Sequence, residues 1–464
     1  MLHLHSNEVS AMVILLLLLF TLIVTPSVFP LFWQARSWLD ILLYILCFLV
    51  ISRLTARGSR CLWPPNVDFT GRVALVVGAS SGVGFEVAAQ LAMQGWTVIL
   101  AGRHRGRLLR AQTRINHQLA RHPATAGRSK PDFPRGRTFL LDAVDFLDKE
   151  SVRRFASSIL SIQDRYPLAL LVNAAGVLRR HLHYSSNKDW WDLEEMLATN
   201  AVGPMLLTKL LLPALIQTAE RSRLSSRVVN VASSCHTFLG FKKLRLRDDP
   251  IDMICDLKRN ARLLNLSGVP TQQNVPEGCL ASSDDSHYVM HDFPLLNFIG
   301  YYGLSKLCVI WNTRLLAESL SGLTFDTSLN ANEAKALRKQ TEKVISLAPG
   351  ESKGVPSQRQ RSKVYVACVH PGISATHLYR DLLPSWFLDY CVYLPSLIVG
   401  KTLDELAQST LKAAVEEENI VQGGYYMCDG EHGSNNGVNC LSKHATDAAA
   451  IKAYAKFLDP LLQS

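Results

Sequence analysis

The sequence predicts an α/β fold: a doubly wound parallel sheet in a single domain, with surface insertions and an N-terminal membrane anchor. Three observations point there. From residue 71 onward, short β-branched runs alternate with amphipathic helical stretches, the pattern of successive βαβ units. The first run, "RVALVVGA" (72–79), ends in a glycine-rich turn that opens a helix. Ahead of it stand two apolar runs, the first uncharged over residues 11–25.

The front end, residues 1–60, is the expected anchor. "AMVILLLLLFTLIVT" (11–25) continues as apolar sequence to Trp33, long enough as a helix to cross a bilayer core of about 30 Å. A second run, "ILLYILCFLVI" (41–51), is short for a span, so one span and a hairpin both remain open. Residues 1–10 hold Glu8 and no Lys or Arg, which disfavours a cleaved signal peptide. Arg53, Arg57, Arg60 and Arg72 follow the second run, against Arg36 between the runs. By the positive-inside rule the main domain faces the cytosol.

That domain is expected over residues 68–464. "GVGFEVAAQLAMQGW" (82–96) reads as an amphipathic helix stopped at Gly95, and "TVILAGR" (97–103) as the second strand. A basic stretch over 104–137 reads as a helix and loop inserted at the surface. "RTFLLDAVD" (137–145) is the third strand and "KESVRRFASSILSI" (149–162) a helix. "LALLVNAAG" (168–176) is the fourth strand, "EEMLATNAVGPMLLTKLLLPALIQ" (194–217) a long apolar helix, and "SRVVNVASS" (226–234) the fifth strand. Residues 240–296 and 321–361 lack a sustained period and read as two further insertions. A helix lies between them, and "KVYVACVHPG" (363–372) is the sixth strand.

Composition narrows the function classes. With 48% apolar and 19% charged residues, the chain can bury a large core, which sets it apart from disordered sequences. The net charge of +10 makes an anionic membrane surface or a nucleic acid a natural partner. No zinc-finger spacing and no regular basic–aromatic pattern occurs, so neither nucleic acid binding nor a metal site is expected. Ten cysteines without a C-x-x-C read as free thiols facing a reducing compartment. The sequon at Asn265 matters only if that region is lumenal.

The chemistry gathers at strand ends. Gly78, Ser80, Ser81, Gly82, Val83 and Gly84, in "GASSGVG", form a strand-to-helix turn suited to a pyrophosphate. Tyr302 and Lys306, in "GYYGLSKLCVI", stand one helical turn apart, so phenol and ammonium are neighbours. Such a cation favours the phenolate of a side chain that ordinarily titrates near about pH 10.

The glycine spacing together with these later pieces resembles the short-chain dehydrogenase/reductase family, in particular its retinol dehydrogenase-like, membrane-anchored branch. The resemblance covers about 71–240 and 297–430 and implies a Rossmann-type sheet. It also implies a catalytic set of Asn200 in "TNAVG", Ser233 in "VNVASSCH", Tyr302 and Lys306. In that reading Tyr302 is the general acid or base and also contacts the cofactor, Lys306 binds the nicotinamide ribose and Ser233 polarises the substrate oxygen. Asn200 then holds a relay water. Arg103, after the second strand, suits a 2′-phosphate, which favours NADP(H) over NAD(H). Asp142 matches the family's aspartate near the adenine, and Asn173, Ala174, Ala175 and Gly176 match its Asn-Asn-Ala-Gly motif, with Ala174 as a departure. Pro371, Gly372 and Thr376 are implied to hold the carboxamide.

Residues 382–399, "LLPSWFLDYCVYLPSLIV", are very apolar for a loop. They suit a lid over a lipophilic small-molecule substrate such as a retinoid, steroid or polyprenoid; the alternative is an ordinary homodimer face or core helix. The expected function is NADP(H)-dependent oxidoreduction at the membrane of the endoplasmic reticulum or a lipid droplet. The rival is a catalytically silent cofactor-binding scaffold, for which the insertion between Ser233 and Tyr302 speaks.

Overall fold

A computed structural model describes residues 71–121, 136–222, 225–238, 249–258, 294–321, 364–372, 400–416, 421–427 and 441–463, with short gaps, and parts of 42–70. The expected span at 11–33, the apolar run at 382–399, Thr376 and most of the two later insertions lie outside the described residues.

Among the described residues, seven parallel strands form one sheet in the order β3-β2-β1-β4-β5-β6-β7. They are β1 (Val73–Val77), β2 (Thr97–Ala101), β3 (Arg137–Leu140), β4 (Leu168–Asn173), β5 (Ser226–Val231), β6 (Val364–Val369) and β7 (Gly424–Tyr426). The helices are α1 (Gly82–Met93), α2 (Arg105–Arg121), α3 (Lys149–Leu160), α4 (Glu195–Arg221), α5 (Pro294–Ser321), α6 (Leu403–Val415) and α7 (Ala448–Leu462).

The central strands are apolar at nearly every position because helices cover both faces. Alternation then sorts their side chains. Val73, Leu75 and Val77 of β1 join one core with α3, α4, α5 and α7, while Ala74 and Val76 join the other with α1, α2 and α6. Chain order reverses between β1 and β4, which places a ligand crevice at their carboxyl ends.

Two elements depart from the expected layout. Within the 104–137 stretch, α2 is the regular crossover from β2 to β3, burying Leu108, Ala111, Ile115 and Leu119 at i, i+3, i+7 and i+11. A seventh strand, β7, is only three residues long, too short to carry a period, and it pairs with β6. Among the described residues, one helix, α4, is long and apolar enough to cross a membrane. Its apolar window is 72% buried inside the fold, as befits a core helix.

Candidate active site

A cavity of about 510 Å³ opens at the β1/β4 switch, a size ordinary for a small-molecule site. Its floor is the glycine-rich turn. Gly78 takes φ +90°, and a Cβ there would lie 2.6 Å from the backbone nitrogen of Ala175. Gly84 lies beneath the turn, where a Cβ would come within 2.5 Å of the Gly78 carbonyl oxygen. These contacts press the α1 N-terminus against the end of β4. Ser81, the N-cap of α1, makes no side-chain cap bond, so first-turn amides are left for a ligand.

Ser80, Ser81, Gly82, Val83, Ala174, Ala175 and Gly176 line the cavity. Asn173 does not. As the last residue of β4 it alternates onto the α4 face, where its amide donates to Thr208 Oγ1 (3.0 Å) and Asn230 Oδ1 (2.8 Å). Asp142 is likewise outside. It is exposed and accepts from Ser158 Oγ at 3.3 Å, whereas Val144, Asp145 and Phe146 form the wall. The chain turns outward after β3 and returns only at Val144, whose N–H donates to the Gly102 carbonyl at 3.1 Å.

The far end of the cavity is basic. Arg103, His104 and Arg107 all line it. The Arg103 guanidinium is 3.8 Å from Glu195 Oε1, but that carboxylate is held bidentately by Arg179 at 2.6 and 2.8 Å. The cluster therefore keeps a net positive charge, suited to a phosphate.

The other end brings the expected catalytic side chains together. Tyr302, 6% exposed, and Lys306, 3% exposed, project from α5, with Lys306 Nζ 5.7 Å from the Tyr302 ring centre. Lys306 Nζ donates to the Val231 carbonyl at the end of β5, at 2.8 Å. Burial pushes its ammonium down to about 8. Ser233 follows two residues later and leads into a short 3₁₀ turn, Ser234–Phe238. The Cys235 N–H donates to Ser233 Oγ at 3.2 Å. Gly303 lets α5 pass over this turn, since a Cβ there would sit 2.5 Å from the Cys235 carbonyl oxygen.

Asn200 occupies a π-helical turn, Ala198–Val202, inside α4. Such single turns recur at functional sites because the extra residue re-aims a side chain. Its Oδ1 accepts from Val177 N–H (2.8 Å), and its Nδ2 donates to the Val177 carbonyl (3.0 Å) and to Ser305 Oγ (2.9 Å). Gly176 separates Asn200 from Lys306: a Cβ there would stand 3.4 Å from Lys306 Nζ and 3.5 Å from Asn200 Oδ1. Pro371 and Gly372 complete the wall beside His370. Sequence reasoning missed His370, Ser305, Asp145, His104 and Arg107; the last two were visible as cations close behind Arg103.

A doubly wound parallel sheet with a glycine cradle at its switch point and a Tyr–Lys pair across the crevice defines a single-domain α/β fold of the Rossmann type. Residues 72–242 match the family model described as short chain dehydrogenase, and the chain is similar over part of its length to proteins that carry the names retinol and polyprenol dehydrogenase. Its relatives include an uncharacterized oxidoreductase of Schizosaccharomyces pombe, 38% identical over 36% of this chain and 43% of that protein. Polyprenol dehydrogenase of Mus musculus is 36% identical over 40% of this chain and 48% of that one. Retinol dehydrogenase 12 of Mus musculus is 31% identical over 45% and 59%. The chain spans about half the length of the curated relatives it matches.

Proposed function

We propose that this chain is an NADP(H)-dependent oxidoreductase that interconverts a lipophilic alcohol and its carbonyl at a membrane surface. The observation that carries the proposal is the single cavity that has Ser233, Tyr302 and Lys306 at one end and Arg103, His104 and Arg107 at the other. The residues fit a dinucleotide: the Gly78–Gly84 cradle would take the pyrophosphate, the three cations the 2′-phosphate, Asp145 the adenine side, and Lys306 the nicotinamide ribose. Pro371 and Gly372, with Thr376, would meet the carboxamide. When bound, the nicotinamide supplies or takes the hydride.

The chain's own residues handle the proton. Tyr302 would donate it to the developing alkoxide, or remove it from the alcohol in the reverse direction. Lys306 places positive charge beside the phenol and favours its ionised form. With its pKa pushed down to about 8 by burial, Lys306 can also exchange a proton near neutrality. The gap left by Gly176 gives room for a water joining Lys306 to Asn200. Ser233, its Oγ already accepting from the Cys235 N–H, keeps its own proton to direct at the substrate oxygen.

The lipophilic substrate and the membrane rest on different support. Relatives carry the names retinol and polyprenol dehydrogenase. Helical residues before the domain expose Leu42, Leu46, Val50 and Leu54, an i+4 series on one face. The uncharged run at 11–25 precedes them and the apolar run at 382–399 would cover the substrate. The endoplasmic reticulum or a lipid droplet, with the domain in the cytosol, is the matching location.

Membrane fractions carrying the full chain, given NADPH or NADH with retinal, steroid ketones or a long-chain polyprenal, test this reading. NADPH-dependent reduction of one class is expected, and Arg103→Ala should cost NADPH turnover about tenfold or more while sparing NADH. NADPH binding without turnover of any class would favour the silent scaffold.

A further inference from the structure

We infer that His236 is a positioning residue for Ser233, locking the reactive serine to the C-terminal segment of the chain. The inference rests on the oxidoreductase reading for its kinetic consequences, but its geometry stands apart from it.

Ser233 sits where β5 has ended, so the aim of its hydroxyl depends both on its rotamer and on the backbone that carries it. The chain fixes it twice. The Cys235 N–H holds Oγ, and the imidazole of His236 holds the backbone, its Nδ1 lying 2.7 Å from the Ser233 carbonyl oxygen. At the opposite edge of the ring, Nε2 accepts from the Ser442 N–H at 3.3 Å. A carbonyl only accepts and an amide N–H only donates, so both contacts are met by one species: neutral imidazole with its proton on Nδ1. Protonation would set a second N–H against that of Ser442. Burial already holds the ring neutral, down to about 4.

The surroundings leave the ring no alternative pose. His236 is fully buried and meets the Tyr425 ring of β7 edge-on, with centres 5.4 Å apart. Ser442 caps the short helix Lys443–Thr446, and the carbonyl of His444 there accepts from the Trp311 indole of α5 at 2.9 Å. One imidazole thus ties the serine turn to a segment more than 200 residues away, which is itself pinned to the helix bearing Tyr302 and Lys306. Losing the Ser233 side of that strut would free the turn while leaving the cradle, Tyr302 and Lys306 in place.

Two substitutions separate the halves of the strut. An asparagine amide reaches where Nδ1 lies and can donate to the Ser233 carbonyl; a glutamine amide reaches where Nε2 lies and can meet Ser442 instead. His236→Asn should keep kcat within about twofold to threefold of the wild type, whereas His236→Gln and His236→Ala should lower kcat about 10- to 100-fold, the cost of a small misplacement. NADPH affinity should hold in all three. In a Ser233→Ala background His236→Gln should cost little more, because it acts through that serine. Crystal structures of the Asn and Gln variants give a readout independent of turnover: Ser233 Oγ in place in the first and displaced in the second. Equal loss in both variants, tracking thermal stability and additive with Ser233→Ala, would overturn the inference, as would an undisplaced Ser233 in the Gln variant. A wild-type chain with no turnover, but with the predicted Ser233 displacement, would instead count against the oxidoreductase reading alone.

Discussion

His236 and His370 are neighbours behind the serine turn, both buried, and among the described residues neither has an acidic partner to welcome a proton. Burial, then the neighbouring His236 and Lys401 charges, pushes His370 down to about 3, while its Nδ1 accepts from the Ser234 N–H at 3.3 Å. Burial likewise pushes His236 down to about 4. A histidine in the unfolded chain titrates near about 6.5. Between that pH and about 4 the unfolded state therefore binds protons that the folded state refuses, so stability is intact above about pH 6.5 and falls on acidification. Urea unfolding at pH 7, 6 and 5 should show the loss, with His236→Asn shrinking it by on the order of 1–2 kcal/mol. An unchanged slope in that variant would contradict the neutral, trapped imidazole. At this scale the Tyr302–Lys306 pair was legible because helix period alone makes i and i+4 neighbours. Asp145 was not, because only the loop conformation after β3 decides which of two nearby aspartates returns to the cavity. Nor were the roles of Ser305 and His236, whose partners are 105 and 206 residues distant.

Among the elements, α6 has the largest duty outside the site. Its N-terminus carries a full capping box, Thr402 with Glu405, which satisfies end amides and favours the acidic first turn. The same carboxylates receive the segment before the domain. Arg53 donates to both oxygens of Glu405 at 2.7 Å, Arg60 pairs with Asp404 at 3.0 Å, and the Cys61 N–H donates to Gln408 Oε1 at 2.9 Å. Burial alone would raise the Glu405 carboxyl, yet Arg53 and the Thr402 amide hold it below the usual range. Arg53, Arg60 and Cys61 are thus strapped to α6. Glu405→Ala removes the cap partner and the bidentate acceptor together. It should destabilise the fold by about 1 kcal/mol and speed tryptic cleavage at Arg57 and Arg60 severalfold. Cleavage at the wild-type rate would show that the strap does not depend on this pair. The sequence displayed most strands and helices, since each has a length and period of its own. It did not display the π turn around Asn200, which is set by tertiary contacts with Val177 and Ser305.

At the scale of the whole molecule, the parallel sheet gathers distant segments at one end. The cradle at 78–84, the cations at 103–107, the loop at 174–178, the serine turn and α5 meet in one crevice, although Ser233 and Tyr302 are separated by the whole insertion at 240–296. That convergence follows from strand order; alternation and glycine placement made the doubly wound parallel sheet readable, but not the order of its strands. The insertions at 240–296 and 321–361 carry no period from which a placement could be derived. In the proposed function Tyr302 moves a proton in this crevice while NADP(H) is held mainly by other residues. The most direct test of that role is Tyr302→Phe in the full chain, with NADPH binding followed by fluorescence titration and turnover measured on the substrate class the wild type reduces. Unchanged NADPH affinity with turnover reduced about 10²- to 10⁴-fold is the predicted result. Near-normal turnover in that variant would contradict the account.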